Sequence, residues 1–100
     1  MTAPGESLEF QASALFRART ASSPELLEHI KELIKHDPNI GEKLCPGIST
    51  LTFELRGLDL VLFWGRRGNR ISLMYVHPAT ETKLIEERKK ELLRLQGKEV

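Results

Sequence analysis

The chain has 100 residues, of which 40% are apolar and 29% are charged, and its formal net charge is +1. This length predicts a single domain over residues 1–100, and the composition excludes an intrinsically disordered chain. The nearly neutral balance excludes recognition of nucleic acid by overall charge, so a nucleic-acid site has to rest on a local basic surface.

The first part of the chain predicts a frayed end followed by a region with two possible structures. Residues 1–7 are small and polar and are expected to be frayed. In the next residues, the segment LEF fits a short edge strand near Leu8–Phe10, whereas ASALFRAR fits a short helix with Leu15 and Phe16 facing inward. Both alternatives remain open at the level of sequence.

A clear amphipathic helix follows. Ser23 predicts an N-cap and Pro24 occupies the first helical position, where a proline is well tolerated. Leucine and isoleucine then recur at helical spacing until HDP, where the residue before proline is forced out of the helical region. Residues 39–48 contain two glycines and a proline, and they predict a loop.

The segment at about residues 50–77 predicts a three-stranded antiparallel meander, because apolar and polar residues alternate along its first strand. Gly57-Leu58 fits a two-residue turn of type II′, and Leu60–Trp64 then forms the second strand. GRRGN forms the tip of the second hairpin, and Arg70–His77 forms the third strand.

These turns predict which residues face each other and which share a face. Leu55, Phe53 and Leu51 pair with Leu60, Leu62 and Trp64, which in turn lie opposite Met74, Ser72 and Arg70. That apolar face is expected to pack on the helices. The other face is expected to be mixed and open, and its polar end collects Glu54, Arg56, Asp59, Tyr75 and His77.

A last helix is predicted from Thr80 or Thr82 to about Leu95, with Gly97 as its stop. Its apolar stripe contains Ile85, Leu92 and Leu95, together with Arg88. The predicted class is therefore α+β, with N-terminal helices packed on an antiparallel meander and a C-terminal helix.

Arg56 and His77 are the candidate catalytic residues. Arginine donates two parallel hydrogen bonds to a phosphate, and histidine exchanges protons near neutral pH. The competing interpretation is a solvated sheet face, on which Arg56 forms an ordinary ion pair with Glu54 or Asp59.

Arg66, Arg67 and Arg70 are candidate RNA-binding residues, because no carboxylate interrupts residues 65–76. Tyr75 is assigned to RNA binding with them. The competing interpretation is a basic hairpin tip that improves solubility and protects a sheet edge.

The sequence predicts no cofactor and no metal. Cys45 is the only cysteine, which excludes an internal disulfide and a cysteine-based zinc site, and no other group has metal-ligand spacing. We see no secretory signal and no apolar run of the ~20 residues that a membrane span needs. A cytoplasmic protein without a membrane partner is expected.

Three segments, LLEHIKELIKHDPNIGEKLCPGI, TFELRGLDLVLFW and RISLMYVH, resemble the RelE/ParE superfamily of toxins from bacterial toxin–antitoxin modules, nearest to its HigB-like branch. The phrase DPNIG matches the proline and glycine that end a helix in this family, and Pro46-Gly47 matches a glycine-containing loop. The resemblance runs from about Leu8 to Leu95.

The resemblance implies a metal-independent, ribosome-dependent mRNA endoribonuclease that inhibits translation. Arg56 matches the arginine of the first meander strand, and His77 lies where the family has a lysine or a histidine. Leu60 stands where the family has a second arginine, and Pro78 replaces a basic residue. These departures leave open a gyrase-directed toxin, a binding protein that does not cleave, and a homologue without toxicity.

The implied partners are a cognate antitoxin protein and the ribosome with its mRNA. An antitoxin of this kind lays a helix or a strand across the groove of the toxin. An unrelated α+β scaffold protein is the remaining alternative.

Overall fold

The computed structural model describes residues 8–98, and the predicted fraying of residues 1–7 lies outside the described residues. The α+β class is confirmed. In chain order the elements are β1 (Glu9–Ala12), α1 (Ala14–Thr20), α2 (Pro24–His36), β2 (Glu42–Cys45), β3 (Ile48–Leu55), β4 (Leu58–Arg67), β5 (Arg70–Pro78) and α3 (Thr82–Lys98).

The strands form one mixed sheet in the order β1-β5-β4-β3-β2. The antiparallel meander is confirmed as β3, β4 and β5. Both alternatives for the N-terminal region occur, because the edge strand β1 pairs parallel with β5 and α1 follows it. The predicted loop at residues 39–48 is wrong in part. Its centre forms β2, which pairs with the free edge of β3 and so satisfies backbone hydrogen-bonding groups there.

Helices cover both faces of the sheet. On one face, hereafter the α2 face, α1 and α2 pack on the strands through a core of Phe16, Leu26, Ile30, Ile34, Leu51, Leu60, Leu62, Trp64, Ile71, Leu73 and Val76. On the other, hereafter the α3 face, the buried cluster consists of Val61, Phe63, Ile85 and Leu92. The prediction of an open face is therefore wrong where α3 covers it, because the apolar side chains of α3 and the sheet bury each other.

Residues at the start of the helices differ in part from the prediction. Ser13 caps α1, since its hydroxyl accepts a hydrogen bond of 3.1 Å from the backbone N–H of Phe16. Phe16 is fully buried, but Leu15 is exposed, so the prediction that both face inward is wrong for Leu15. Ser23 occupies the N-cap position of α2 as predicted, but its hydroxyl accepts no hydrogen bond from a backbone N–H of the helix.

The first hairpin turns at Arg56-Gly57, one residue earlier than predicted. Leu55 pairs with Leu58 and Phe53 pairs with Leu60, so the predicted pairs of Leu55 with Leu60 and Phe53 with Leu62 are wrong. Arg56 and Gly57 have φ angles of 56° and 80°, and positive φ at both central positions is the signature of a type I′ turn. The partners change by two residues, which preserves the faces, because side chains alternate with a period of two.

Arg56→Asn is expected to leave the protein as stable as the wild type or to raise the free energy of unfolding by up to about 1 kcal/mol. Asparagine adopts a positive φ more readily than arginine, and the gain is opposed by loss of the exposed ion pair between Arg56 and Glu25. Urea unfolding measures the change, with Glu25→Gln as the control that removes the ion pair but keeps the turn. A loss above about 1 kcal/mol in Arg56→Asn would show that the ion pair with Glu25 contributes more stability than relief of the positive φ at residue 56 returns.

The second hairpin contains an irregularity that the alternation did not predict. The register shifts between Phe63, which pairs with Tyr75, and Trp64, which pairs with Leu73, so Met74 is an extra residue in β5. Ser13 holds this bulge, because its hydroxyl donates a hydrogen bond of 2.7 Å to the Met74 carbonyl oxygen.

The bulge corrects the predicted faces of β5. Ile71 and Leu73 pack on the α2 face and Met74 on the α3 face, which is the reverse of the prediction. The ladder also continues to the pair Arg67 and Arg70, so the predicted pairing of Trp64 with Arg70 is wrong.

Helix α3 begins at Thr82 and continues past Gly97, so the predicted stop there is wrong. Ile85 and Leu92 are buried as predicted, whereas Leu95 is exposed. Among the described residues, no helix is long and apolar enough to cross a membrane.

Candidate functional site

The two candidate catalytic residues lie in different environments. Arg56 occupies the β3–β4 turn with a side chain that is 76% exposed, and its guanidinium forms an ion pair with Glu25 at the start of α2. His77 lies in β5 and is only 4% exposed. The structure gives each residue its own partners and does not join them in one cluster.

His77 belongs to a cluster of polar side chains between the sheet and α3. Its ring stacks on that of Tyr75, with centroids 6.0 Å apart, and its Nδ1 lies 3.7 Å from a carboxylate oxygen of Glu81. Arg88 of α3 places its guanidinium carbon 4.3 Å from the centre of the Tyr75 ring, a cation–π contact. Arg19 of α1 reaches the same Glu81 oxygen at 3.8 Å. We call Arg19, Tyr75, His77, Glu81 and Arg88 the His77 cluster.

Several polar atoms of this cluster are buried without a hydrogen bond. They are both ring nitrogens of His77, Nε of Arg88 and Oε1 of Glu81. Within the described residues, the fifth such side-chain atom is Nε1 of Trp64. Buried polar groups are usually paired, because an unpaired group costs about 1–3 kcal/mol. Their concentration here distinguishes the cluster from an ordinary packed core.

The charges around His77 favour its neutral form. Burial is the largest cause that lowers its pKa from the ordinary value of 6.5, and the positive charges of Arg19 and Arg88 lower it further. Glu81 acts in the opposite direction, but its carboxylate does not outweigh the other three causes. The lowered pKa of His77 therefore favours its neutral imidazole form.

Acidification from pH 7.5 to 5.5 is expected to destabilise the fold in part through His77. The folded pKa lies below the unfolded value, so the unfolded state binds the proton more readily, and stability is lost as the pH falls below about 6.5. His77→Phe retains a ring against Tyr75 without a titrating group, and its urea midpoint should fall less over this interval than that of the wild type. His36→Gln, at an exposed position in the last turn of α2, is the control. If the urea midpoint fell equally in the wild type and in His77→Phe, the lowered pKa of His77 would be contradicted.

The three candidate RNA-binding arginines do lie together. They line a groove of about 410 Å³, hereafter the basic groove, whose lining consists of Gln11, Gly47, Ile48, Gly65, Arg66, Arg67, Arg70, Ser72 and Met74. None of these residues belongs to α3. The strand registers place Gln11, Ser72, Gly65 and Ile48 in one row across four strands. A side chain at Gly65 would crowd the Gly47 carbonyl oxygen, which lies 3.2 Å from the position of a Cβ there.

The guanidinium groups of the basic groove differ in how they are held. Arg66 donates from Nε to the Gly68 carbonyl oxygen at 2.9 Å and from a terminal nitrogen to that of Pro38 at 3.4 Å. Arg70 lies 3.9 Å from a Glu9 carboxylate oxygen, and both side chains are exposed, so this ion pair is weak. Arg67 forms no ion pair within residues 8–98.

Tyr75 lies between the basic groove and His77 on the α3 face. Along β5 this face presents, in turn, Arg70, Ser72, Met74, Tyr75 and His77. Tyr75 is half-buried, with its ring edge-to-face against Phe63 at 5.9 Å. The basic groove and the His77 cluster are therefore open and covered parts of the same sheet face.

The sequence analysis missed three members of the His77 cluster, Arg19, Glu81 and Arg88. Arg88 left a signal, because it is a charged residue within the otherwise apolar stripe of α3. Arg19 left none, since its position depends on how α1 packs beside β5. In the described part of the chain, no group of three or more histidine, cysteine or acidic side chains is arranged to hold a metal ion.

Comparisons of the chain with protein-family models, with curated proteins and with solved structures gave no match.

Proposed function

We propose that this protein binds single-stranded RNA through the basic groove and thereby inhibits translation. The observation that supports the proposal is that Arg66, Arg67 and Arg70 line one groove to which no carboxylate contributes a lining side chain. Arginine side chains along a shallow channel suit the phosphates of an extended strand, and such contacts are independent of base sequence.

The floor of the groove suits a single strand. Met74 and Ile48 provide apolar surface beside the arginines. Binding of this kind combines a cationic track with apolar contacts to the bases, and it depends strongly on salt.

The resemblance to the RelE/ParE superfamily, nearest the HigB-like branch, supplies the biological setting of this proposal. It assigns the protein as the toxin of a bacterial toxin–antitoxin module, acting in the cytoplasm on mRNA at the ribosome and held inactive by a cognate antitoxin. A gyrase-directed toxin is the alternative within the same superfamily. Leu60 stands where the family has a second arginine, and its side chain is buried on the α2 face. Without that arginine, binding of RNA without cleavage is favoured.

Cleavage of the bound RNA is the second candidate function, and the His77 cluster favours it. A neutral imidazole is a general base that can accept the proton of a ribose 2′-hydroxyl, and the adjacent Arg19 and Arg88 can stabilise a phosphate. Arg56, to which the family resemblance gives the phosphate-binding role, is engaged with Glu25 at the β3–β4 turn. In this candidate the side chains around His77 move to admit RNA, because the residue is only 4% exposed.

Cell-free translation with primer extension on a defined mRNA tests both candidates. Binding without chemistry predicts that the purified protein reduces translation and leaves the mRNA intact. Cleavage predicts new ends at the ribosomal A site, and these ends should disappear with His77→Phe, which cannot accept a proton.

Two further outcomes decide against the proposal. If translation proceeds normally and single-stranded RNA does not bind at low salt, RNA is not the target. Gyrase inhibition by the same preparation would then support the gyrase-directed alternative. If cuts persist unchanged in His77→Phe, the His77 cluster is not the site of cleavage.

A further inference from the structure

A second cavity lies on the α2 face of the sheet, opposite the basic groove. It measures about 400 Å³, which is within the usual range for small-molecule sites. Trp64 assigns it to the α2 face, because this residue belongs to the core beneath α1 and α2. The cavity and the basic groove share Gly47 and Arg66 in their linings. We call this cavity the Trp64 pocket.

The strand register aligns three hydrogen-bond donors along the pocket. Lys43 of β2 pairs with Ser49 of β3, which pairs with Trp64 of β4, and all three line the pocket. Trp64 is 2% exposed, and its indole Nε1 is buried without a hydrogen-bond acceptor among the described residues. Lys43 is exposed and forms no ion pair within that part of the chain. The residues that carry an ammonium, a hydroxyl and an indole thus occupy neighbouring positions in one row of the sheet.

Arg66 adds a second positive charge that is already held in place. Its hydrogen bonds to the carbonyl oxygens of Pro38 and Gly68 use two of its N–H groups and leave others free. The contact with Pro38 joins β4 to the α2–β2 loop that forms one wall of the pocket.

The loop that forms this wall is held close to the sheet at Gly41. This residue has a φ of 93°, and a Cβ there would lie 2.4 Å from the backbone oxygen of Thr50. Only glycine permits this approach. The wall and the fixed guanidinium are therefore preorganised, which reduces the cost of ordering a bound ligand.

We propose that the Trp64 pocket binds a phosphate monoester. Lys43 and Arg66 supply two positive charges, Ser49 supplies a neutral donor, and no carboxylate lines the pocket. A doubly charged phosphate uses both cations, and its oxygens accept from several donors at once. The phosphate comes either from a free metabolite or from the end of an RNA strand, because Arg66 also lines the basic groove.

Trp64 is the only tryptophan in the chain, so a change in tryptophan fluorescence or in the indole N–H resonance is assigned to this one residue of the pocket. Titration with inorganic phosphate and with adenosine monophosphate is expected to give a saturable change in both signals. Lys43→Ala should weaken binding by at least about tenfold, whereas Lys90→Ala, an exposed position on α3, should bind as the wild type does. No saturable change, or equal affinities for wild type and Lys43→Ala, would overturn the proposal.

A comparison of RNA ends identifies the source of the phosphate. A short RNA with a 5′-phosphate or a 3′-phosphate, if it is the ligand, should shift the Trp64 resonance at lower concentration than the same RNA with hydroxyl ends. Equal effects of these RNAs, with tighter binding of adenosine monophosphate, assign the pocket to a free metabolite. The test is separate from that of the proposed function, because Lys43 does not line the basic groove and phosphate binding requires no effect on translation.

Discussion

Leu62→Ala is expected to lower the free energy of unfolding by about 2–5 kcal/mol. Leu62 lies at the middle of β4, is 0% exposed and packs in the core beneath α1 and α2. Truncation leaves a cavity between two closely packed layers, so the lost contacts add to the lost transfer free energy. Urea unfolding measures the effect as a lower midpoint at an unchanged slope.

Leu58→Ala is the matched control, because the same substitution is made in the same strand at a residue that is 51% exposed. Its cost should remain below about 1 kcal/mol, since little apolar surface leaves a buried environment. Similar losses for the two variants would contradict the burial of Leu62. The strand register would then have to be revised, because the faces of β3 and β4 depend on it.

Neutralising Arg67 and Arg70 together, as the double glutamine variant, is expected to weaken binding of single-stranded RNA by at least about tenfold at low salt. Each arginine that contacts a phosphate displaces condensed counterions, so the slope of log affinity against log salt should become less steep by about 0.7 for each lost contact. Filter binding or fluorescence anisotropy over a series of salt concentrations measures both quantities.

A variant with glutamine at Lys83 and Lys90 provides the control for net charge. Both lysines are exposed on α3 and neither lines the basic groove, yet their replacement removes the same two positive charges. Equal weakening in the two double variants would mean that only overall charge matters. Unchanged RNA binding after replacement of Arg67 and Arg70 would support the competing interpretation, in which these residues improve solubility and protect the sheet edge.

The candidate site was predictable from the sequence to unequal degrees. Arg66, Arg67 and Arg70 lie within five residues of one another, so a single hairpin is enough to bring them together. His77 and Arg88 come together because α3 folds back over β5, which local patterns do not describe. Arg56 was predicted to lie near His77 because the second face was expected to be open and the turn was placed one residue late.

By itself, the sequence determined the elements whose residues follow a clear period. The alternation around Phe53 predicted β3, the helical spacing after Pro24 predicted α2, and glycines predicted two hairpins near their observed positions. These predictions succeed because the hydrophobic period depends on the local backbone geometry. The faces of β3 and β4 were predicted correctly although the turn was misplaced, because the register changed by an even number of residues.

Only the tertiary structure decided the remaining features. β2 exists because the edge of β3 offers hydrogen-bond partners to a short segment without alternation. The bulge at Met74 is stabilised by Ser13, which is 61 residues away in the chain. Helix α3 packs on the sheet at Val61 and Phe63 because two apolar surfaces, each incomplete by itself, bury one another. Contacts between residues distant in sequence leave no local period, and these contacts determine which polar groups become a buried cluster and which line an open groove.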